Sequence, residues 1–184
     1  SPYSHATYHP GATQTTIKVL YENNTGKILG AQVWGKEGID KLTDILAVAI
    51  KHKMTADDLA DFELSYAPPF SSAKSPINLL GNAIQNELDK MVETITWEEV
   101  LKLEEAFILD VRTEEEYKYG HIENAMHIPV DELRENLNKL PTDKEIYVYC
   151  HTGLRSYIAT RILKDNGFDS VNIMGGFYFY NSTK

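Results

Sequence analysis

The chain has 184 residues, 42% of them hydrophobic, enough to bury one large core or two small ones and too apolar for a disordered tail. Eighteen basic against 27 acidic side chains leave a formal net charge of −9, which argues against a binder of nucleic-acid backbone, since such proteins need clustered Lys and Arg. The longest aliphatic run, ILAVAI at 45–50, is far short of a membrane span and no basic-then-apolar leader is present, so the expectation is a soluble, cytoplasmic protein with no membrane partner.

The opening SPYSHATYHPGA has no initiating Met and no regular pattern, and reads as the continuation of a longer chain. TTIKVLYE and KILGAQVWG cluster β-formers around the turn-rich NNTG, which predicts two antiparallel strands. In residues 38–54, Leu42, Ile45, Leu46, Ala49 and Ile50 recur at helical spacing, and TADDLADF suggests a shorter helix. The prolines and serines of FELSYAPPFSSAKS break regular structure. Ser75 and Pro76 then supply an N-cap and a pre-set first helical residue for a helix whose stripe is Ile77, Leu80, Ile84, Leu88 and Met91.

Past a boundary placed at residues 92/93 the pattern changes. Residues 1–90 carry 8 basic and 10 acidic side chains, whereas residues 91–184 carry 10 basic and 17 acidic, with all four arginines. Thr96 with Glu99 and Thr113 with Glu116 have capping-box spacing. FILDV, AMHIP, EIYVY and SVNIM are short apolar runs; helical spacing is read between them at Leu133, Leu137 and Leu140 and across residues 154–167, where Ile158, Ile162 and Leu163 form a stripe and Gly167 stops the helix. Alternating β and α elements predict a mostly parallel sheet with helices on its faces. The fold class is thus an α+β domain with an antiparallel sheet over 1–92, followed by an α/β domain over 93–184.

The single cysteine, Cys150, closes the apolar EIYVY run just before a helix. A lone cysteine makes no intrachain disulfide, so it is a buried hydrophobe, an intermolecular partner or a reactive thiol. Its place decides: ligands of open α/β sheets bind at strand carboxyl ends, where turn amides and a helix start favour an anion, and a thiolate is the nucleophilic form. Gly153 lets the loop curl, Arg155 adds a permanent positive charge, His151 lines the mouth, and Ser156 completes the turn. Four residues, His151, Thr152, Gly153 and Leu154, separate Cys150 from Arg155. Cysteine phosphatases resemble this but have one more intervening residue, whose wider cradle suits a phosphoryl group. The shorter loop suits a sulfur atom held as a persulfide.

Residues 96–181 resemble a rhodanese domain: TWEEVLKL, LDVRTEEEYKYGHIENAMHIP, YVYCHTGLRS and GFDSVNIMGGF follow in family order. The resemblance implies sulfane-sulfur transfer through a Cys150 persulfide, residues 151–154 as an amide cradle and Arg155 as the closing charge. Asp110 and Arg112 match the first family motif and take supporting roles, with Arg112 ion-paired; His121 and His127 are read as structural.

Residues 3–88 resemble the dimerisation domain of FAD-dependent pyridine-nucleotide disulfide oxidoreductases, nearest to the coenzyme A-disulfide and persulfide or polysulfide reductases, through YHPGA, GKILGAQVWGKEGIDKLTDILAVAI and LSYAPPFSSAKSPIN. This implies the carboxyl-terminal portion of such a reductase fused to a rhodanese, with Tyr8 and Tyr66 reaching the partner subunit's active site in a homodimer. Phe70 stands where some relatives carry a further tyrosine. FAD, NAD(P)H and coenzyme A are implied for the longer protein and no cofactor for these residues, which contain no G-x-G-x-x-G. No metal site is expected, His5 and His9 lacking a third ligand. Implied partners are a sulfane-sulfur donor (thiosulfate, polysulfide or coenzyme A persulfide) and an external thiol acceptor. The competing expectations are a Cys-based phosphatase or arsenate reductase, and a non-catalytic docking and dimerisation role.

Overall fold

The computed structural model describes residues 1–183, which divide into two compact units, one over residues 1–90 and one from residue 91 onward. In the first, β1 (Thr16–Tyr21) and β2 (Ile28–Trp34) form an antiparallel hairpin with a register shift between Leu20 and Tyr21. Three helices follow: α1 (Ile39–Lys51), α2 (Ala56–Asp61) and α3 (Pro76–Leu88). Leu42, Leu46 and Ala49 of α1 meet Ile28, Leu59, Ile77 and Ile84 in one apolar core.

Two polar devices set the helix geometry. Ser75 caps α3 through the amides of Ile77 and Asn78 at 3.2 and 3.3 Å, while Asn78 returns a bond to the Ser75 amide at 2.9 Å. The two N–H groups of the Asn78 side-chain Nδ2 are shared among the carbonyls of Leu59, Ala60 and Phe62, orphan acceptors at the end of α2. At the crossing of α2 and α3, Gly81 lies so close to its neighbour that a Cβ there would sit 2.5 Å from the Ala60 nitrogen. α3 ends at Leu88, so Met91, 39% exposed, lies past the helix and does not continue its apolar stripe.

The second unit holds β3 (Thr94–Ile95), α4 (Trp97–Val100), β4 (Phe107–Asp110), α5 (Glu114–Lys118), β5 (Met126–His127), β6 (Ile146–Tyr149), α6 (Leu154–Asp165), β7 (Ser170–Ile173) and α7 (Gly176–Ser182). The strands form one sheet in the order β3-β7-β6-β4-β5, every pair parallel. Alternation along β6 sends Ile146, Val148 and Cys150 into a core with Ala159, Ile162 and Leu163 of α6, and Tyr149 to the other face with Trp97, Ile122 and Ile173. Both faces are covered, as a parallel sheet requires.

Capping boxes at Thr96 with Glu99 and Thr113 with Glu116 start α4 and α5. Two expectations are corrected. Leu133, Leu137 and Leu140 belong to short 3-10 turns, Val130–Glu135 and Leu137–Lys139, with Leu140 just beyond them, and not to an α-helix; their spacing of three to four residues suits either geometry. Ile158 is 41% exposed, and the buried stripe of α6 is Ser156, Ala159, Thr160, Ile162 and Leu163.

Candidate active site

The order of strands puts a topological switch point at the carboxyl ends of β4 and β6. The chain leaves β4 toward β5 on one side and leaves β6 toward β7 on the other, the arrangement that opens a ligand crevice in α/β sheets. Asp110 ends β4 and pairs in register with Tyr149, the residue before Cys150.

Cys150 is 1% exposed, yet its sulfur is not held by apolar packing alone. The amide of Gly153 donates to Sγ at 3.0 Å, and the hydroxyl of Ser156 lies 3.4 Å away. Gly153 reaches this geometry with φ of 127°, a region that side-chain-bearing residues rarely adopt. Its carbonyl accepts from the Ser156 hydroxyl at 3.0 Å and from the Tyr157 amide at 3.0 Å, so the turn that aims its amide at sulfur also starts α6. Thr152 is half-buried and Leu154 is exposed.

The loop is also held from behind. The carbonyls of Cys150 and His151 accept the amides of Phe177 and Tyr178 at 2.8 and 2.9 Å. That close approach requires glycine at 176: with φ of 56°, a Cβ there would lie 2.6 Å from the Cys150 oxygen and 2.7 Å from that of His151. Burial lowers the pKa of His151 and favours its neutral imidazole, whose ring meets Tyr178 edge-on at 5.9 Å.

Arg155 does not stand as an uncompensated charge. Its two terminal nitrogens donate to the two carboxylate oxygens of Glu116 at 2.6 and 2.7 Å, with both side chains 31% exposed. Those hydrogen bonds, helped by bonds from Thr113, outweigh desolvation and hold the Glu116 carboxyl down at about 2. Glu116 thus serves two masters, the cap of α5 and the guanidinium 39 residues away.

Asp110 and Arg112 form a buried pair. Arg112 Nη2 lies 2.7 Å from Asp110 Oδ2, and the guanidinium also reaches the carbonyls of Gly120 and Glu116 and sits 4.1 Å from the centroid of Phe177. Burial opposes the Arg112 charge, but the hydrogen bonds and charge of Asp110 more than offset it. The Tyr149 hydroxyl donates to Asp110 at 2.6 Å and accepts from the Ile122 amide; burial and then the bond to Asp110 push its pKa up, so it stays a phenol. His127 bonds the Arg112 carbonyl, and the ring of Tyr117 stacks between those of His121 and His127 at 3.9 and 4.2 Å.

In the first unit, Tyr8 and Tyr66 come together with hydroxyl oxygens 2.9 Å apart, both rings exposed. Phe70 is 76% exposed. The rings of His5 and His9 meet edge-on at 5.6 Å, each Nδ1 beside a local backbone carbonyl. Among the described residues no three potential metal ligands cluster. Sequence reasoning missed Glu116, Tyr149 and Gly176 as parts of the site.

Comparison with known proteins matches residues 85–182 to the family model of the rhodanese-like domain, and residues 1–76 to that of the pyridine nucleotide-disulphide oxidoreductase dimerisation domain. Coenzyme A disulfide reductase of Staphylococcus aureus is 42% identical over 78 residues, which cover 42% of this chain and 18% of that protein. Among solved structures, reduced CoADR-RHD of Bacillus anthracis superposes with a TM-score of 0.95 at 44% identity, covering 98% of this chain and 33% of that one. The NAD-dependent persulfide reductase of A. fulgidus gives a TM-score of 0.88 at 40% identity, covering 97% and 32%. The chain therefore spans only about a third or less of the length of these relatives.

Proposed function

The chain belongs to the rhodanese-like domain family over residues 85–182, and on that premise we propose that Cys150 carries sulfane sulfur as a persulfide. The thiolate attacks the outer sulfur of a donor, the donor's S–S bond breaks, and the leaving group departs with the electron pair. An external thiol then takes the sulfur in a second displacement and returns Cys150 to the thiolate. The amide of Gly153 is already aimed at Sγ and stabilises the thiolate, a preorganised arrangement, while Ser156, 3.4 Å from the sulfur, bonds the Gly153 carbonyl and fixes the turn that aims the amide. His151, Thr152 and Leu154 complete the loop, and Arg155, held by Glu116, orients the donor.

The observation that carries this reading is the Gly153 amide donating to Sγ at the carboxyl end of the central strand β6. A cysteine in a purely structural role needs no such donor. A phosphatase reading is disfavoured by the four-residue spacing between Cys150 and Arg155. Conversion of cyanide to thiocyanate tests the proposal: wild type turns over with a persulfide donor, Cys150→Ser does not, and neither hydrolyses an aryl phosphate. Turnover by Cys150→Ser equal to wild type would sink it.

The wider reading follows the relatives. A longer protein would place the reductase dimerisation domain, residues 1–92, before the sulfurtransferase, residues 93–184, with FAD and NAD(P)H bound outside this chain and coenzyme A as the thiol acceptor. Tyr8 and Tyr66, already joined through their hydroxyls, would face the partner subunit's disulfide site in a homodimer. A cytoplasmic location fits an enzyme that depends on a reduced thiol.

A further inference from the structure

We infer that Glu116 selects the sulfur donor, favouring a hydropersulfide (R–S–SH) over the thiosulfate dianion; this rests on the sulfurtransferase reading of Cys150. Three cationic candidates lie around the cysteine loop, and each is cancelled or neutral. Arg155 is clasped by both oxygens of Glu116 at 2.6 and 2.7 Å. Arg112 is paired with buried Asp110 at 2.7 Å. His151 is held toward the neutral imidazole by burial. The Cys150-to-Arg155 segment brings no other positive side chain, and residues 91–184 carry 17 acidic against 10 basic groups.

The two donor classes place different demands on such a site. With thiosulfate, Cys150 S⁻ attacks the outer sulfur, the S–S bond breaks and sulfite leaves as a dianion, so three negative charges meet within one small cradle. With a hydropersulfide, the same attack forms Cys150–S–SH and releases R–S⁻, the proton staying on the transferred sulfur, so a single negative charge is passed along. Arg155 keeps N–H groups that can orient a donor, but its pairing with Glu116 contributes almost no net charge to offset a dianion. The field of an acidic domain adds to the exclusion of a doubly charged donor.

The test uses the full chain and two probes, thiosulfate and the hydropersulfide of N-acetylcysteamine, whose R group is uncharged, reading the rate of Cys150 persulfide formation by quenched-flow intact mass. Wild type should load at least about tenfold faster from the persulfide, and Glu116→Gln, which keeps oxygen for Arg155 and for the α5 cap but removes the charge, should shift the thiosulfate-to-persulfide rate ratio about tenfold toward thiosulfate. Raising salt on wild type alone should speed thiosulfate loading more than persulfide loading, an arm independent of the variant's folding. Equal loading by the two donors in wild type, or a rate ratio that neither salt nor Glu116→Gln moves, overturns the inference while leaving Cys150 as a sulfur carrier. Loading by neither donor overturns the sulfurtransferase reading and this inference with it.

Discussion

Arg155 and Glu116 are joined by two parallel hydrogen bonds of 2.6 and 2.7 Å, a bidentate pair that ties the first turn of α6 to the first turn of α5. Charge-assisted bonds in this fork geometry are among the stronger polar contacts, although the 31% exposure of both side chains tempers their worth through solvent screening.

A pH dependence follows from that pair. The folded carboxyl of Glu116 titrates near 2 against an ordinary 4.5, so unfolding raises its proton affinity. Its contribution is fully present above the ordinary value and is lost as pH falls from about 4.5 to about 2. Thermal melts across that window should fall less steeply for Glu116→Gln than for wild type; identical slopes would contradict the assignment.

Gly176 makes a second test. Any Cβ at this position meets the carbonyls of Cys150 and His151 inside van der Waals contact, so Gly176→Ala must displace the cysteine loop or α7. We expect a stability loss of about 1–3 kcal/mol and a persulfidation rate lowered at least about tenfold. Gly38→Ala, which also has positive φ but open space around it, should lose stability and keep the rate. Equal rates for the two variants would argue that Gly176 does not position the loop.

The first unit offers an independent control. Gly81→Ala drives a methyl into the backbone of α2 and should cost about 1–3 kcal/mol in the melting of residues 1–90. Sulfur loading of Cys150 should be unaffected. A parallel loss of loading would show that folding of residues 1–90 and sulfur loading at Cys150 are coupled.

Tyr149→Phe leaves the Ile122 amide unpartnered and removes one bond to Asp110. A cost of about 1–3 kcal/mol by denaturant unfolding is expected, and the apolar face against Trp97 should remain packed. A neutral effect would mean that water takes the place of the hydroxyl.

Much of this was legible in the sequence because it is local. Capping residues act on amides two or three positions away, so Ser75, Thr96 and Thr113 announced their helices, and the strand-then-helix pattern around Cys150 placed it at a strand's carboxyl end. What was missed is long-range or doubly used. Glu116 was legible as the partner of Thr113, but its bond to Arg155 spans 39 residues and arises only once α5 and α6 are set side by side. Gly176 lies within GFDSVNIMGGF, where nothing local marks its role, since its demand comes from carbonyls at 150 and 151. The aromatic run GFYFYNS has no clear helical polarity, and α7 went unpredicted because its order derives from packing Phe177 and Tyr180 beside Trp97. The repeated tyrosine signal at Tyr8 and Tyr66 came from resemblance; their hydroxyl contact is a property of the folded chain.

The most direct measurement is intact mass of the wild-type chain and of Cys150→Ser after incubation with glutathione persulfide, followed by coenzyme A or cyanide. The account predicts a gain of one sulfur atom in wild type alone, removed by either acceptor. An unmodified wild type, or the same gain in Cys150→Ser, would contradict it.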